Sequence, residues 1–274
     1  MNGHTRAVTS ALLSEALAPL RAKPARTAVL LDIDGTLAPI VEHASEAHVP
    51  ESTRQLLIGV ARRYGLVACV SGRRASDARA MVAIGTITYL GAHGAETLRA
   101  GWTEAVLDPK VETWMRRIRE FGREADTSDL RRRRVRIEDK GAIVAFHWRG
   151  APDEAAARAA IDALAQRAEA AGLRTHWGRK VLEIRPPVQI DKGAGISALL
   201  EDSDVDAALY VGDDATDLDA FRGLTRLVEQ GKLERALRVG VKSEEGPSEI
   251  AAQADIVVDG PSGVRELLAA LIAE

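Results

Sequence analysis

Four short apolar runs, each stopping abruptly at a polar or glycine-rich cluster, constrain this chain more than any other feature. They are Ala28 to Leu31 before Asp32, Leu66 to Val70 before Ser71-Gly72-Arg73, Ile87 to Leu90 before Gly91-Ala92-His93-Gly94, and Ala207 to Val211 before Gly212-Asp213-Asp214. Helical patterns over Thr53 to Tyr64, Ala75 to Val82 and Gly193 to Leu200 separate them. Short, uniformly apolar runs read as strands buried on both faces, and their alternation with helices makes the sheet parallel. The predicted class is therefore α/β, a doubly wound parallel sheet. In such sheets ligands bind outside the carboxyl ends of the strands, so all four clusters are expected to converge on one crevice.

The segment from Asp108 to Arg185 breaks this rhythm. It reads as a helix (Pro109 to Arg123), two strands (Arg132 to Glu138 and Ala142 to Arg149), a second helix (Pro152 to Ala171) and two further strands ending with Val181 to Arg185. A small α+β domain, 108–185, inserted into a core of 1–107 and 186–274 is expected. Strand alternation puts Val135, Ile137, Val144, Phe146, Trp148, Leu182 and Ile184 on one face, under the helices. The other face then carries Glu138, Lys140, His147, Arg149, Glu183 and Arg185. Placed directly after a candidate active-site loop, this insertion is expected to act as a lid with its polar face toward substrate. The arginine run Arg131 to Arg134 is expected on an edge strand, as a solvated guard against edge pairing.

Bulk properties narrow the partners. The formal net charge is −3, which argues against nucleic acid or an anionic membrane. One cysteine, Cys69, lies in an apolar run and excludes an internal disulfide or a multi-cysteine metal site. Ser10, Ser14 and Glu15 interrupt the N-terminal apolar stretch, while Val8, Leu12, Leu13, Ala16, Leu17 and Leu20 fall on one helical face, so a helix rather than an export signal is expected. No run approaches the roughly 18 apolar residues of a membrane span. The expected setting is cytoplasmic.

Chemistry concentrates at the strand ends. In Asp32-Ile33-Asp34-Gly35-Thr36, Asp32 is placed to attack phosphorus, because a carboxylate forms a labile acyl phosphate. Asp34 is placed to protonate a leaving alcohol and later to deprotonate water. Two carboxylates beside a phosphate repel unless cations intervene. Gly212-Asp213-Asp214-Ala215-Thr216-Asp217 supplies further oxygen ligands, so Mg²⁺ is expected on Asp32, the Asp34 carbonyl and Asp213. Asp214 and Asp217 are expected to support that set from behind. Ser71 is suited to donate to a phosphate oxygen, Gly72 to let the backbone approach, and Lys192 to pair with Asp32 and the phosphate.

Asp-x-Asp-Gly-Thr, then Ser71, then Lys192, then Gly-Asp-Asp-x-x-Asp, in that order, resembles the haloacid dehalogenase superfamily of phosphatases. The insertion between the serine and lysine motifs matches its branch with a large α/β cap. More narrowly, the chain from Ala28 onward is similar to the trehalose-6-phosphate phosphatases. The strings that carry this are Asp32 to Ile40, Val70-Ser71-Gly72-Arg73, Gly91-Ala92-His93-Gly94-Ala95-Glu96, Glu138-Asp139-Lys140, His147-Trp148-Arg149, Val181 to Pro186, and Gly212 to Phe221. The resemblance implies hydrolysis of a sugar phosphate through a phospho-aspartyl intermediate, with Glu138, Lys140, Arg149 and Glu183 on the disaccharide. Arg179 and Lys180 are further candidates there, as are Gly72, Arg73 and His93 at the strand ends. The expected partner is a small-molecule sugar phosphate, with a monomeric chain and functional coupling to a trehalose-phosphate synthase as further expectations. One departure is Leu218, where the family carries Glu. The alternatives are a sister phosphatase acting on mannosyl-3-phosphoglycerate or sucrose 6-phosphate, or an inactive sugar-phosphate-binding domain.

Overall fold

Strand β1 (Thr27–Leu31) is buried along its whole length and lies in the middle of a sheet, which is why its sequence is continuously apolar rather than alternating. The structure is a computed structural model describing residues 10–40, 47–139, 143–178, 180–188, 190–243 and 246–273. It divides into two compact units, Met1–Val106 with Ile190–Glu274, and Leu107–Gln189.

In the first unit, α1 (Ser10–Ala22) precedes β1, and α2 (Glu51–Arg63), β2 (Leu66–Val70), α3 (Ala75–Val82), β3 (Thr88–Gly91), β4 (Glu96–Leu98) and β5 (Val106–Leu107) follow. Strand β5 ends one residue past the boundary. In the second unit come α4 (Pro109–Ala125), α5 (Ser128–Arg132), β6 (Arg136–Asp139), β7 (Val144–His147), α6 (Glu154–Ala170), β8 (Arg174–Gly178) and β9 (Val181–Arg185). The chain then returns to the first unit with α7 (Lys192–Glu201), β10 (Ala207–Gly212), α8 (Asp217–Glu229), β11 (Arg235–Lys242), α9 (Ser248–Gln253), β12 (Ile256–Asp259) and α10 (Gly260–Ile272).

The large sheet has the order β12-β11-β10-β1-β2-β3-β4-β5, parallel from β12 to β3, with β4 antiparallel to β3. From β1 the chain winds outward through β2 and β3 on one side, then returns through β10 to β12 on the other. The crevice between the carboxyl ends of β1 and β10 is thus the topological switch point, the place where such sheets bind ligands. Alternate residues feed two core layers: Val29 and Leu31 join Leu17, Leu20, Leu57 and Leu267, while Ala28 and Leu30 join Val70, Ile196, Tyr210 and Phe221. Cys69 is fully buried, and that burial pushes its thiol pKa up, as befits an inert strand residue. Leu13, Leu17 and Leu20 of α1 are buried, whereas Leu12, expected on the same face, is 43% exposed. Val8 lies outside the described residues.

In the second unit the sheet order is β6-β7-β9-β8, every pair antiparallel. Val144, Phe146, Leu182 and Ile184 pack with Ile118 and Phe121 of α4 and Ile161 and Leu164 of α6. The arginine run needs a correction. Arg131 and Arg132 end the short helix α5, and Arg133 and Arg134 form the turn after it, so the strand begins only at Arg136. Thr127 caps α5 by accepting from the Leu130 amide, and Asp126 and Asp129 pair with Arg131, Arg132 and Arg133. Among the described residues, no helix is long and apolar enough to cross a membrane.

Candidate active site

Asp32 continues β1 by one residue, donating its amide to the Val211 carbonyl of β10 at 2.9 Å. Ile33, between the two acids, is fully buried and anchors the loop in the core. The amides of Leu37 and Ala38 then close the turn onto the Ile33 carbonyl, both at 2.9 Å. Gly35 is required here twice over. Its φ is +84°, and a Cβ would lie 2.2 Å from the Asp213 carboxylate.

Lys192 opens α7, whose start is capped by Asp191 accepting from the Ala194 amide at 2.8 Å. Its ammonium donates to Asp32 Oδ1 and to Asp217 Oδ1, each at 2.6 Å, with only 3% of the side chain exposed. Gly193 lets α7 come this close, since a Cβ there would meet the Asp219 carbonyl of α8 at 2.2 Å. Asp217 opens α8 and is saturated. Oδ1 also accepts from the Tyr210 hydroxyl at 2.6 Å, and Oδ2 accepts the amides of Asp213 and Asp214 at 2.8 and 2.9 Å. Four hydrogen bonds fill the lone pairs of its two oxygens, so Asp217 orients its neighbours. Asp213 Oδ1 accepts from the Thr36 hydroxyl at 3.1 Å.

Asp32, Asp213 and Asp217 bring carboxylate oxygens within 4.8 Å of one another, against one ammonium. Burial pushes the Asp32 carboxyl well above the usual carboxylate range; Lys192 opposes this, and Asp217 and Asp213 add to it. Asp213 is pushed up to about 6, first by burial and then by the charge on Asp217. Burial would depress Lys192, but Asp32 and Asp217 outweigh it and hold the ammonium above the ordinary lysine range. Such an excess of buried negative charge, presented by hard oxygen donors, fits a divalent cation. Asp32 and Asp213 have oxygens left for it; Asp217 does not. Asp214 is oriented away into its own turn, with Oδ1 accepting from the Thr216 hydroxyl at 2.7 Å.

Ser71, 1% exposed, follows β2 and donates its amide to the Leu90 carbonyl of β3. The His93 amide donates to the Ser71 carbonyl at 3.0 Å, and the His93 ring packs over Gly72. Arg73 turns its guanidinium onto Asp34, with Nε on one carboxylate oxygen at 2.8 Å and a terminal nitrogen on the other at 2.7 Å. Leu218 is partly buried against the layer that holds Tyr210 and Phe221.

In the second unit, register aligns Glu138, Ala145, Glu183 and His176 across all four strands. Their shared face is opposite the one that packs under α4 and α6. Glu138 meets the His147 ring at 3.0 Å, and Glu183 meets Arg185 at 2.5 Å. Arg149 lies in the turn beyond β7. Lys180 pairs with Glu154 at the start of α6, 2.7 Å away, rather than joining that row. Lys140 and Arg179 lie outside the described residues.

Three supporting residues escaped the sequence reading. Thr36 orients Asp213, Tyr210 holds Asp217, and Glu96 accepts the amide of Ala75 at the start of α3, 2.9 Å away. Tyr210 left a signal: a phenol in an otherwise aliphatic buried strand needs a hydrogen-bond partner.

A family model described as trehalose-phosphatase matches residues 30–260. Trehalose-phosphate phosphatase B of Arabidopsis thaliana is 28% identical over 92% of this chain and 67% of its own length. An uncharacterized glycosyl hydrolase of Mycobacterium tuberculosis is 32% identical over 72% of this chain, which spans only 15% of that protein. Among solved structures, trehalose-6-phosphate phosphatase of Aspergillus fumigatus superposes with a TM-score of 0.69 at 21% identity, covering 98% of this chain and 99% of the other. With Asp32, Lys192 and the acidic loop gathered at one switch point, and with a family model matching residues 30–260, the chain belongs to the trehalose-phosphatase family.

Proposed function

We propose that the chain hydrolyses trehalose 6-phosphate to trehalose and phosphate, with Asp32 as nucleophile. The observation that carries this reading is a buried Asp32 with one oxygen tied to Lys192, in a chain of the trehalose-phosphatase family. In the first step the other Asp32 oxygen forms a bond to phosphorus as the bond to the sugar 6-oxygen breaks. Asp34 gives that oxygen its proton. In the second step Asp34 takes a proton from water as the water oxygen bonds to phosphorus and Asp32 is released. Lys192 holds the attacking carboxylate and, with Ser71, meets charge developing on the phosphoryl oxygens. Asp32, Asp213 and the Asp34 carbonyl would hold Mg²⁺, which supplies positive charge against the phosphoryl oxygens. Substrate selection is assigned to Glu138 and Glu183 on the polar face of the inserted sheet, with Arg149 in the turn beyond β7 and Lys140, which follows Asp139 in sequence. Phosphate release from trehalose 6-phosphate, compared with glucose 6-phosphate and sucrose 6-phosphate, tests the assignment. Equal rates on all three would overturn it.

Two further outcomes are expected. Exhaustive chelation should stop turnover, Mg²⁺ should restore it, and added Mg²⁺ should raise the melting temperature of the wild type but not of Asp213→Asn. Calcium should inhibit, because its looser coordination aligns a phosphate poorly. Full activity after metal removal would sink the Asp213 role.

For the inserted domain, Glu138→Ala and Glu183→Ala should each lose about tenfold to a few hundredfold on trehalose 6-phosphate, since hydrogen bonds to charged groups are worth roughly 1.5–3 kcal/mol. Turnover of p-nitrophenyl phosphate, which lacks the sugar, should change little. Near-normal rates of both variants on the sugar phosphate would mean that these acids are solvated surface.

A further inference from the structure

The pairing of Arg73 with Asp34 bridges 39 residues of sequence and engages both carboxylate oxygens. Asp34 sits on a turn, with 40% of its side chain exposed. A carboxylate so open would sample several rotamers, yet the two-step reaction proposed above asks one group to meet two different oxygens in turn. No other hydrogen bond to this carboxylate is present among the described residues. A guanidinium fork fixes both the position and the plane of a carboxylate, which a lysine ammonium does not.

Arg73 is itself held firmly. Its amide donates to Ser71 Oγ at 3.1 Å, and its carbonyl accepts from the Ala92 amide at 2.7 Å. The next turn is secured by Glu96, which is 7% exposed and takes the Ala75 amide. The segment Gly91 to Glu96 thus clamps the Ser71 to Ala75 loop from the β3 side. We infer that Arg73 is the positioning residue of the proton-transferring group, aiming Asp34 at the leaving sugar oxygen and then at the attacking water. This rests on the phosphatase reading above and adds to it a role distinct from substrate contact.

The test uses Arg73→Lys and Arg73→Gln, both at a partly exposed position where folding is checked by melting temperature. Correctly placed acid–base catalysis is worth about 10²–10⁴-fold, and partial misplacement should forfeit about 10–100-fold of kcat on trehalose 6-phosphate with little change in KM. p-Nitrophenolate leaves without needing a proton, so phosphorylation of Asp32 from p-nitrophenyl phosphate should stay fast while release of phosphate slows. Rapid quenching should therefore reveal a burst of about one p-nitrophenolate per enzyme in the variants, as expected when a covalent intermediate accumulates. A raised KM with unchanged kcat would make Arg73 a substrate contact and overturn the inference. So would equal losses on both esters without a burst. Wild-type turnover with unaltered variants overturns this inference alone, whereas a wild type without phosphatase activity overturns both readings.

Discussion

Asp32→Asn is expected to lose all measurable turnover while keeping the fold. An amide cannot form the acyl phosphate, so the covalent route closes rather than slows. The fold should tolerate the change because Asp32 is a buried carboxylate pushed toward its neutral form by burial, and an amide of the same shape avoids that cost. Lys192 keeps Asp217 as a partner. Phosphate release, mass spectrometry of the quenched enzyme and a melting curve check the three parts of this expectation. Asp34→Asn should differ in kind, losing about 10²–10⁴-fold but still forming the phosphorylated enzyme from an ester with a good leaving group. Measurable turnover by Asp32→Asn would place the nucleophile elsewhere.

Lys192→Met should damage stability and catalysis together. The ammonium is buried between Asp32 and Asp217, so its loss leaves three clustered carboxylates with no counter-charge from that side. Breaking a buried ion pair by removing one partner typically costs about 3–5 kcal/mol. At roughly 2–4 °C per kcal/mol for a chain of this size class, the melting temperature should fall by about 10 °C. Activity should fall by at least about 10²-fold, the usual worth of one charge-stabilising donor at a reacting centre. A second substitution separates the two effects. Lys192→Met with Asp217→Asn removes one uncompensated charge and should recover part of the lost stability, but none of the activity. If Lys192→Met melts like the wild type, the buried network does not carry the charge balance assigned to it.

Much of the site was legible because its residues sit at the ends of strands that announce themselves. Asp32, Ser71 and Asp213 each follow a short apolar run, and burial of those runs in a parallel sheet leaves their carboxyl ends facing one crevice. Strands β11 and β12 were not legible. Arg235, Arg238 and Lys242 interrupt the apolar pattern of β11, and the Arg238 charge is absorbed by Asp255, 17 residues on. The helix at Ser128–Arg132 was missed because the arginine run drew the reading toward a strand, although Thr127 and Asp129 are an ordinary helix start.

What the sequence by itself determined was the class of fold, the placing of Asp-x-Asp-Gly-Thr directly after a buried strand, the order of the charged motifs and the apolar face of the inserted sheet. Each follows from patterns within a few residues of one another. The pairing of Lys192 with Asp32 was expected from the motifs, but only the tertiary structure decided the other partnerships: Lys192 with Asp217 across 25 residues, Thr36 with Asp213 across 177, and Arg73 with Asp34 across 39. It also decided how Asp217, expected only to support the acidic loop from behind, is filled: by hydrogen bonds from Lys192, Tyr210 and two amides. The physical reason is that local pattern reports which side chains must be buried. Which polar groups then share a site depends on where the winding of the sheet reverses, and that reversal sets the ends of β1 and β10 side by side.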